Sequence, residues 1–149
     1  MAKKTFKGRP LLAGELAGKA TVSKQPFNTT ASYFDNMFAG VTDSAPCTDS
    51  DNKELFRKDI ANCIMCTSQT IGSTFGGAAI MGVAEMGVGP KAMLFSRHID
   101  SIISAGLFME DIWNEKRIIT IDLLGDEFLE AVNTGDPIKI FTDGTVEVG

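Results

Sequence analysis

The chain has 149 residues, 44% hydrophobic and 22% charged, enough for one domain with a sizeable core and too few for a second complete one. Its 14 lysines and arginines against 19 aspartates and glutamates give a net charge of -5, which repels nucleic acid over the surface as a whole. No stretch reaches the roughly 18 uninterrupted apolar residues that span a bilayer, and MAKKTFKGRP lacks a signal-peptide core. With three cysteines, which fit reduced thiols better than a disulfide framework, a cytoplasmic location is expected.

In chain order, residues 5–23 read as two short β-strands linked by glycine turns. Lys24 to Asp59 mixes aromatic residues with turn formers and reads as a long loop, a feature more often functional than idle. Within it, Asn28 to Ser32 and the aromatic residues Phe27, Tyr33 and Phe34 suggest a segment touching substrate at one edge and a partner at the other. Asn28-Thr29-Thr30 also matches a glycosylation acceptor, which has no meaning for a chain that is not secreted.

Ala61 to Thr67 is an apolar strand, and Gly76 to Met86 a small-residue helix ended by Gly87-Val88-Gly89-Pro90. The rhythm repeats: KAMLFS is a strand and DSIISAGLF a helix starting near Asp100 or Ser101, with Gly106 as its stop signal. Strand, helix, strand, helix requires at least one parallel βαβ crossover. RIITIDLL is a further strand, DEFLEAVN a short helix, and PIKIFTDGTVEV a hairpin turning at Asp143-Gly144. The expected fold class is a single α/β domain over 1–149 with a mixed sheet.

The chemistry points to the glycine-rich turn between the central strand and helix. Ser73, with Thr74 beside it and Gly72, Gly76 and Gly77 removing bulk, lies where backbone N–H groups favour an anion or a developing oxyanion. The turn is neither a Walker loop nor a dinucleotide fingerprint, so nucleotide binding is disfavoured. Ser73 as a mere helix cap is the plain alternative. His98, the sole histidine, is the one available partner for a serine-histidine pair, but no GxSxG elbow accompanies it and a surface or helix-start role fits as well. Arg97 has an anionic substrate or Asp100 as candidate partners, the structural pair being the commoner outcome.

Cys63 and Cys66 share CxxC spacing, yet side chains three apart on a strand point to opposite faces, so buried thiols fit better than a metal pair. Cys47, beside Pro46 and Thr48, reads as the more accessible thiol, either incidental or near a cofactor held by another chain. No metal site is assigned to this chain.

In their order, GRPLLAGELAGKA, QTIGST, GPKAMLFS, FSRHIDSIISAGLF and GDPIKIFTDGTVEV resemble the swivelling β/β/α domain of the aconitase superfamily, and most closely the small subunit of the aconitase X family. The resemblance spans nearly the whole chain. It implies a heterodimer with a larger subunit that holds iron or an iron-sulfur cluster, and dehydration of a hydroxylated carboxylic acid. The substrate classes it brings are cis-3-hydroxy-L-proline in bacterial members and mevalonate 5-phosphate in archaeal ones. It makes Ser73 the catalytic base; Gly72 and Thr74 of the glycine-rich turn and Asn28 and Thr29 of the long loop are the substrate-binding candidates read from the residues themselves. Archaeal small subunits usually carry an aspartate and a His-Pro pair where this chain reads DNKELFRKD, and an arginine-containing RGS turn where it reads TIGST. Both departures point to the bacterial-type branch and away from phosphate recognition.

Overall fold

The computed structural model describes residues 2–149. Ten strands, β1 (Lys4–Lys7), β2 (Arg9–Leu12), β3 (Leu16–Val22), β4 (Phe27–Asn28), β5 (Ile64–Thr67), β6 (Thr70–Ile71), β7 (Ala92–Phe95), β8 (Ile119–Asp122), β9 (Pro137–Ile140) and β10 (Thr145–Val148), accompany five helices. These are α1 (Thr29–Ser32), α2 (Phe34–Phe38), α3 (Gly76–Glu85), α4 (Ser101–Trp113) and α5 (Asp126–Ala131). Eight strands form one mixed sheet in the order β1-β10-β9-β3-β5-β7-β8-β2, and β4 pairs with β6 separately. The β3/β5, β5/β7 and β7/β8 pairs are parallel, so both β5-α3-β7 and β7-α4-β8 are the expected crossovers.

Residues 4–22 form three strands, β1, β2 and β3, where two were expected over 5–23. Gly8 does not turn the chain; it hands it from one end of the sheet to the other, Lys7 pairing with Thr145 of β10 and Arg9 with Asp122 of β8. The sheet therefore curls until its ends meet at Gly8, whose N–H donates to the carbonyl of Gly144 at 2.9 Å. A Cβ at Gly8 would come within 2.6 Å of the Ile121 side chain, so the junction admits only glycine without rearrangement.

Alternation along the parallel strands divides the core in two. Ile64 and Cys66, Ala92 and Leu94, and Ile119 and Ile121 face the inside of the curled sheet, with Phe128, Ile138, Ile140, Val146 and Val148. Cys63, Met65, Met93, Phe95 and Ile118 face the helices, with Ile80, Val83, Ile103 and Leu107. This is a β/β/α stack. It puts Cys63 and Cys66 on opposite sides, as the strand geometry requires.

Two expectations fail here. Gly106 does not stop a helix, for α4 runs on to Trp113; it is where α4 crosses α3, its backbone set against that of Gly77. The hairpin turn is longer than two residues, closing through Thr142, Asp143 and Gly144, with the Gly144 N–H donating to Phe141 O at 3.2 Å and Gly144 at φ +88°. No helix among the described residues is long and apolar enough to cross a membrane.

The long segment 24–59 is ordered by bonds between its own side chains and backbone. Asn36 Nδ2 donates to the carbonyls of Val41 at 2.8 Å and Ser44 at 2.7 Å, and Asp59 Oδ1 accepts from Ala45 N and Ala61 N at 2.9 and 3.0 Å. Phe27 and Tyr33 are fully buried with rings edge to face, Leu55 and Ile60 beside them in the helix-side core. The aromatic surface read from sequence thus reduces to Phe34, exposed and stacked on Phe38. Cys47 is buried too, which corrects the accessible reading.

Candidate active site

The parallel strands β5 and β7 end side by side, and the segments that follow them enclose a cleft, the usual ligand position in an α/β sheet. Its volume is about 160 Å³, and Thr29, Thr70, Gly72, Ser73, Gly76, Asp100, Ile102 and Ile103 line it. Gly72 makes the turn with φ +105°, and a Cβ there would drive into the Asn28 side chain at 2.5 Å; only glycine meets both demands without strain. Ser73 is exposed, its Oγ accepting from Phe75 N–H at 3.0 Å and its carbonyl from Gly76 N–H at 2.9 Å. Both bonds are those of an N-cap to the turn that leads into α3, so Ser73 caps that turn as well as lining the cleft.

The sequence-predicted residues separate here. Gly72, Ser73 and Thr29 meet in the cleft, Thr29 Oγ1 donating to Gly76 O at 3.4 Å. Asn28 lies beneath, its Oδ1 capping α1 through Ala31 N–H at 3.0 Å. Thr74 lines a neighbouring groove between α3 and α4 instead, with Gly77, Met81, Ile102 and Met109. His98 does not line the cleft: its Nδ1–H donates to Ile99 O at 2.6 Å, so Nε2 accepts from Arg9 Nη2 at 3.4 Å. Arg97 pairs with Asp126 at 3.4 Å, not with Asp100.

Asp100 and Thr70 line the cleft without having been singled out as site residues. Asp100 Oδ1 accepts from the N–H groups of Ile102 and Ile103 at 3.0 and 2.9 Å and caps α4; Oδ2 accepts from the Thr70 hydroxyl. The capping signal was readable at Asp100, but its bond to Thr70 across the cleft was not.

Behind them sits an ion pair. Asp122 is fully buried, accepting from Arg9 Nε at 2.9 Å, Arg9 Nη2 at 2.7 Å and Ile99 N–H at 2.9 Å. It ties β2 and β8 to the 97–100 loop and hence to Asp100. Burial alone would raise its pKa; the Arg9 guanidinium, the Ile99 N–H and the nearby His98 outweigh that and hold it below the usual carboxylate range. A lowered folded pKa contributes stability above the unfolded-state value of about 3.9 and loses it as pH falls through the folded value. Asp122→Asn should therefore destabilise by about 1–3 kcal/mol at neutral pH, the difference closing on acidification below the folded pKa. Thermal melts from pH 7 down to the acid limit of folding check this, and a difference that does not shrink on acidification would contradict it.

The three cysteines do not suit an iron cluster. Cys63 and Cys66 occupy separate cores, Cys47 lies under the 24–59 segment, and burial raises the pKa of all three, Cys63 to about 12. A cluster needs thiolates converging on one point. Among the described residues no three His, Cys, Asp or Glu side chains gather as a metal-holding group.

A curled mixed sheet, helices over its parallel half and a glycine-turn cleft at the strand ends define a swivel-type β/β/α domain. The similarities are consistent with that class. The chain belongs to the aconitase X swivel-domain family, which it matches over residues 5–148. It is 30% identical over 144 residues to the phosphomevalonate dehydratase small subunit of Aeropyrum pernix, covering 96% of this chain and 92% of the relative. The subunit of that name from Archaeoglobus fulgidus is 26% identical over 144 residues, with 96% and 97% covered. The fold matches Thermococcus kodakaraensis aconitase X (holo-form) with a TM-score of 0.80 at 22% identity over 98% of both chains. A solution NMR structure of a UPF0107 protein matches at TM-score 0.76 and 23% identity, covering 98% of this chain and 99% of that one.

Proposed function

We propose that this chain is the small subunit of an aconitase X-type hydro-lyase, removing water from a hydroxylated carboxylic acid in the cytoplasm. Ser73 is the base and a larger partner subunit completes the site. The observation that carries the reading is the setting of Ser73: an open cleft whose rim is exposed apolar surface on both sides. Phe34, Phe38 and Phe75 stand on one side, the Phe34–Phe38 and Phe38–Phe75 ring centroids 4.8 and 5.7 Å apart. Ile102, also exposed, stands on the other, and exposed Met109 extends that surface along the neighbouring groove between α3 and α4. Such a rim fits burial against another protein better than a stand-alone anion pocket would require.

Elimination of water needs a base for the carbon-bound proton and an acid for the departing hydroxide. Ser73 serves the first need. Iron or an iron-sulfur cluster is assigned to the partner, because the thiols of this chain do not suit it.

The substrate we favour is cis-3-hydroxy-L-proline: no lysine or arginine is among the cleft-lining residues, and a phosphate ester would have to find every countercharge on the partner. Mevalonate 5-phosphate is the second reading, favoured by the names of the two archaeal relatives. Reconstitution tests the proposal. The chain alone should be inactive, and adding the large subunit should give dehydration and slow amide exchange in residues 34–38 and 71–75. Dehydration by the chain alone, or unchanged exchange on mixing, would reject it.

A further inference from the structure

Two carboxyl groups meet where the helix pair ends. Glu85 is the last residue of α3 and Glu110 lies in the last turn of α4, the ends at which a helix dipole disfavours negative charge. Neither last turn holds a basic residue. Glu110 is fully buried; its Oε1 accepts from the Asn114 amide, while its Oε2 has no donor among the described residues. Glu85 is half-exposed and accepts from Lys116 Nζ at 3.0 Å. The charged groups that face Glu110 are Glu85 from α3 and Lys116 from the segment after α4.

Two facing carboxylates have only acceptors to offer each other, and a buried carboxylate oxygen left without a donor is costly. One proton on Oε2 answers both difficulties: Glu110 then donates to Glu85, which stays ionised against Lys116. Burial raises the Glu110 carboxyl above the ordinary carboxylate range, and Glu85 beside it adds to that against the pull of Asn114 and Lys116. Lys116, and after it Glu110, lowers Glu85. Facing carboxyls pushed apart in this way hold one proton between them.

We propose that Glu110 carries a proton which it donates to Glu85, forming a clasp between the carboxyl ends of α3 and α4 that a rise in pH releases. The unfolded chain gives up this proton near a pH of about 4.3, whereas the folded chain keeps it to a higher one. The clasp therefore contributes fully below the unfolded value and is lost as pH rises through the folded value. Once released, the pair is two carboxylates at two helix ends with one lysine beside them. The backbone crossing of Gly77 on Gly106 holds the helices nearer the cleft, so release loosens the far ends alone.

Carbon-13 NMR of the side-chain carboxyls in the full chain follows the proton directly. Glu110 should titrate above the ordinary range, and a midpoint at or below about 4.3 would overturn the proposal. Glu110→Gln keeps an oxygen for Asn114 and turns an amide toward Glu85 that donates at every pH. At pH 8 the variant should melt about 2–4 °C above wild type and exchange the amides of residues 82–85 and 110–113 about 3- to 10-fold more slowly, with both differences gone at pH 4. A variant no more stable than wild type at pH 8, or a gain that persists unchanged at pH 4, would overturn the clasp. Glu85→Gln covers the case of a Glu110 variant that does not fold: with the facing charge replaced by an amide donor, Glu110 should titrate lower than in wild type, and an unchanged midpoint would likewise overturn it.

Discussion

Replacing Ser73 with alanine is expected to lower turnover by the assembled enzyme about 10²–10⁴-fold, the usual cost of losing a general base, with folding and assembly intact. A free serine hydroxyl is far too weak an acid to ionise at neutral pH, so the role depends on donors that stabilise its alkoxide. One is in place, the Phe75 N–H at 3.0 Å from Oγ. The alanine variant loses that acceptor but keeps the bond from Gly76 N–H to the residue 73 carbonyl and the φ of Gly72, so the turn still forms. Turnover and solvent-deuterium incorporation into the substrate, measured on the same complex, give the readout. A Ser73→Ala complex that assembles and works at near-normal rate would leave Ser73 a turn-forming residue and nothing more.

Gly106→Ala should be the most damaging small substitution in the fold. On helix propensity alone, alanine in place of a mid-helix glycine gains about 1 kcal/mol. Here the sign reverses. A Cβ at Gly106 would stand 2.7 Å from Gly77 Cα, and one at Gly77 would stand 2.6 Å from Ile102 O. These are backbone atoms that no rotamer change can move. The helices must separate, at a cost of about 3 kcal/mol, which in a domain of this size lowers Tm by roughly 10 °C. The two helices also carry the opposite walls of the cleft, Ser73 before α3 and Asp100 before α4, so separation moves the base from the groups facing it. A Gly106→Ala chain that melts at or above the wild-type temperature would show that the crossing is looser than this geometry.

What was legible in the sequence followed local rules. Apolar runs marked β5, β7 and β8, small residues marked α3, and the glycine turn brought attention to Ser73; each depends on neighbours within a few positions. Gly106 was misread because the sequence shows a helix face without showing what it meets, and a glycine that admits a crossing helix looks like one that ends a helix. The ordering of residues 24–59 was hidden because Asn36 and Asp59 hold backbone groups that any residue provides. Asp122 lay within the RIITIDLL strand with nothing local to mark it, its partner Arg9 lying 113 positions away. Asp100 was visible as a helix start, while its place in the cleft depends on a hydroxyl 30 residues earlier. Family resemblance supplied the swivel-domain assignment that periodicity alone could not.

The closure at Gly8 sets a timetable for making the protein. β1 leaves the ribosome well before its ladder partner β10, with Lys4 opposite Val148. Until that late strand has been made, residues 4–7 have no neighbour to bond with, and the inner core lacks Val146 and Val148. The sheet is thus completed only once β10 has been made, through contacts between distant parts of the chain that fold slowly. Between the making of β1 and that of β10 the nascent polypeptide carries an unpaired strand, the state in which a chaperone has most to protect.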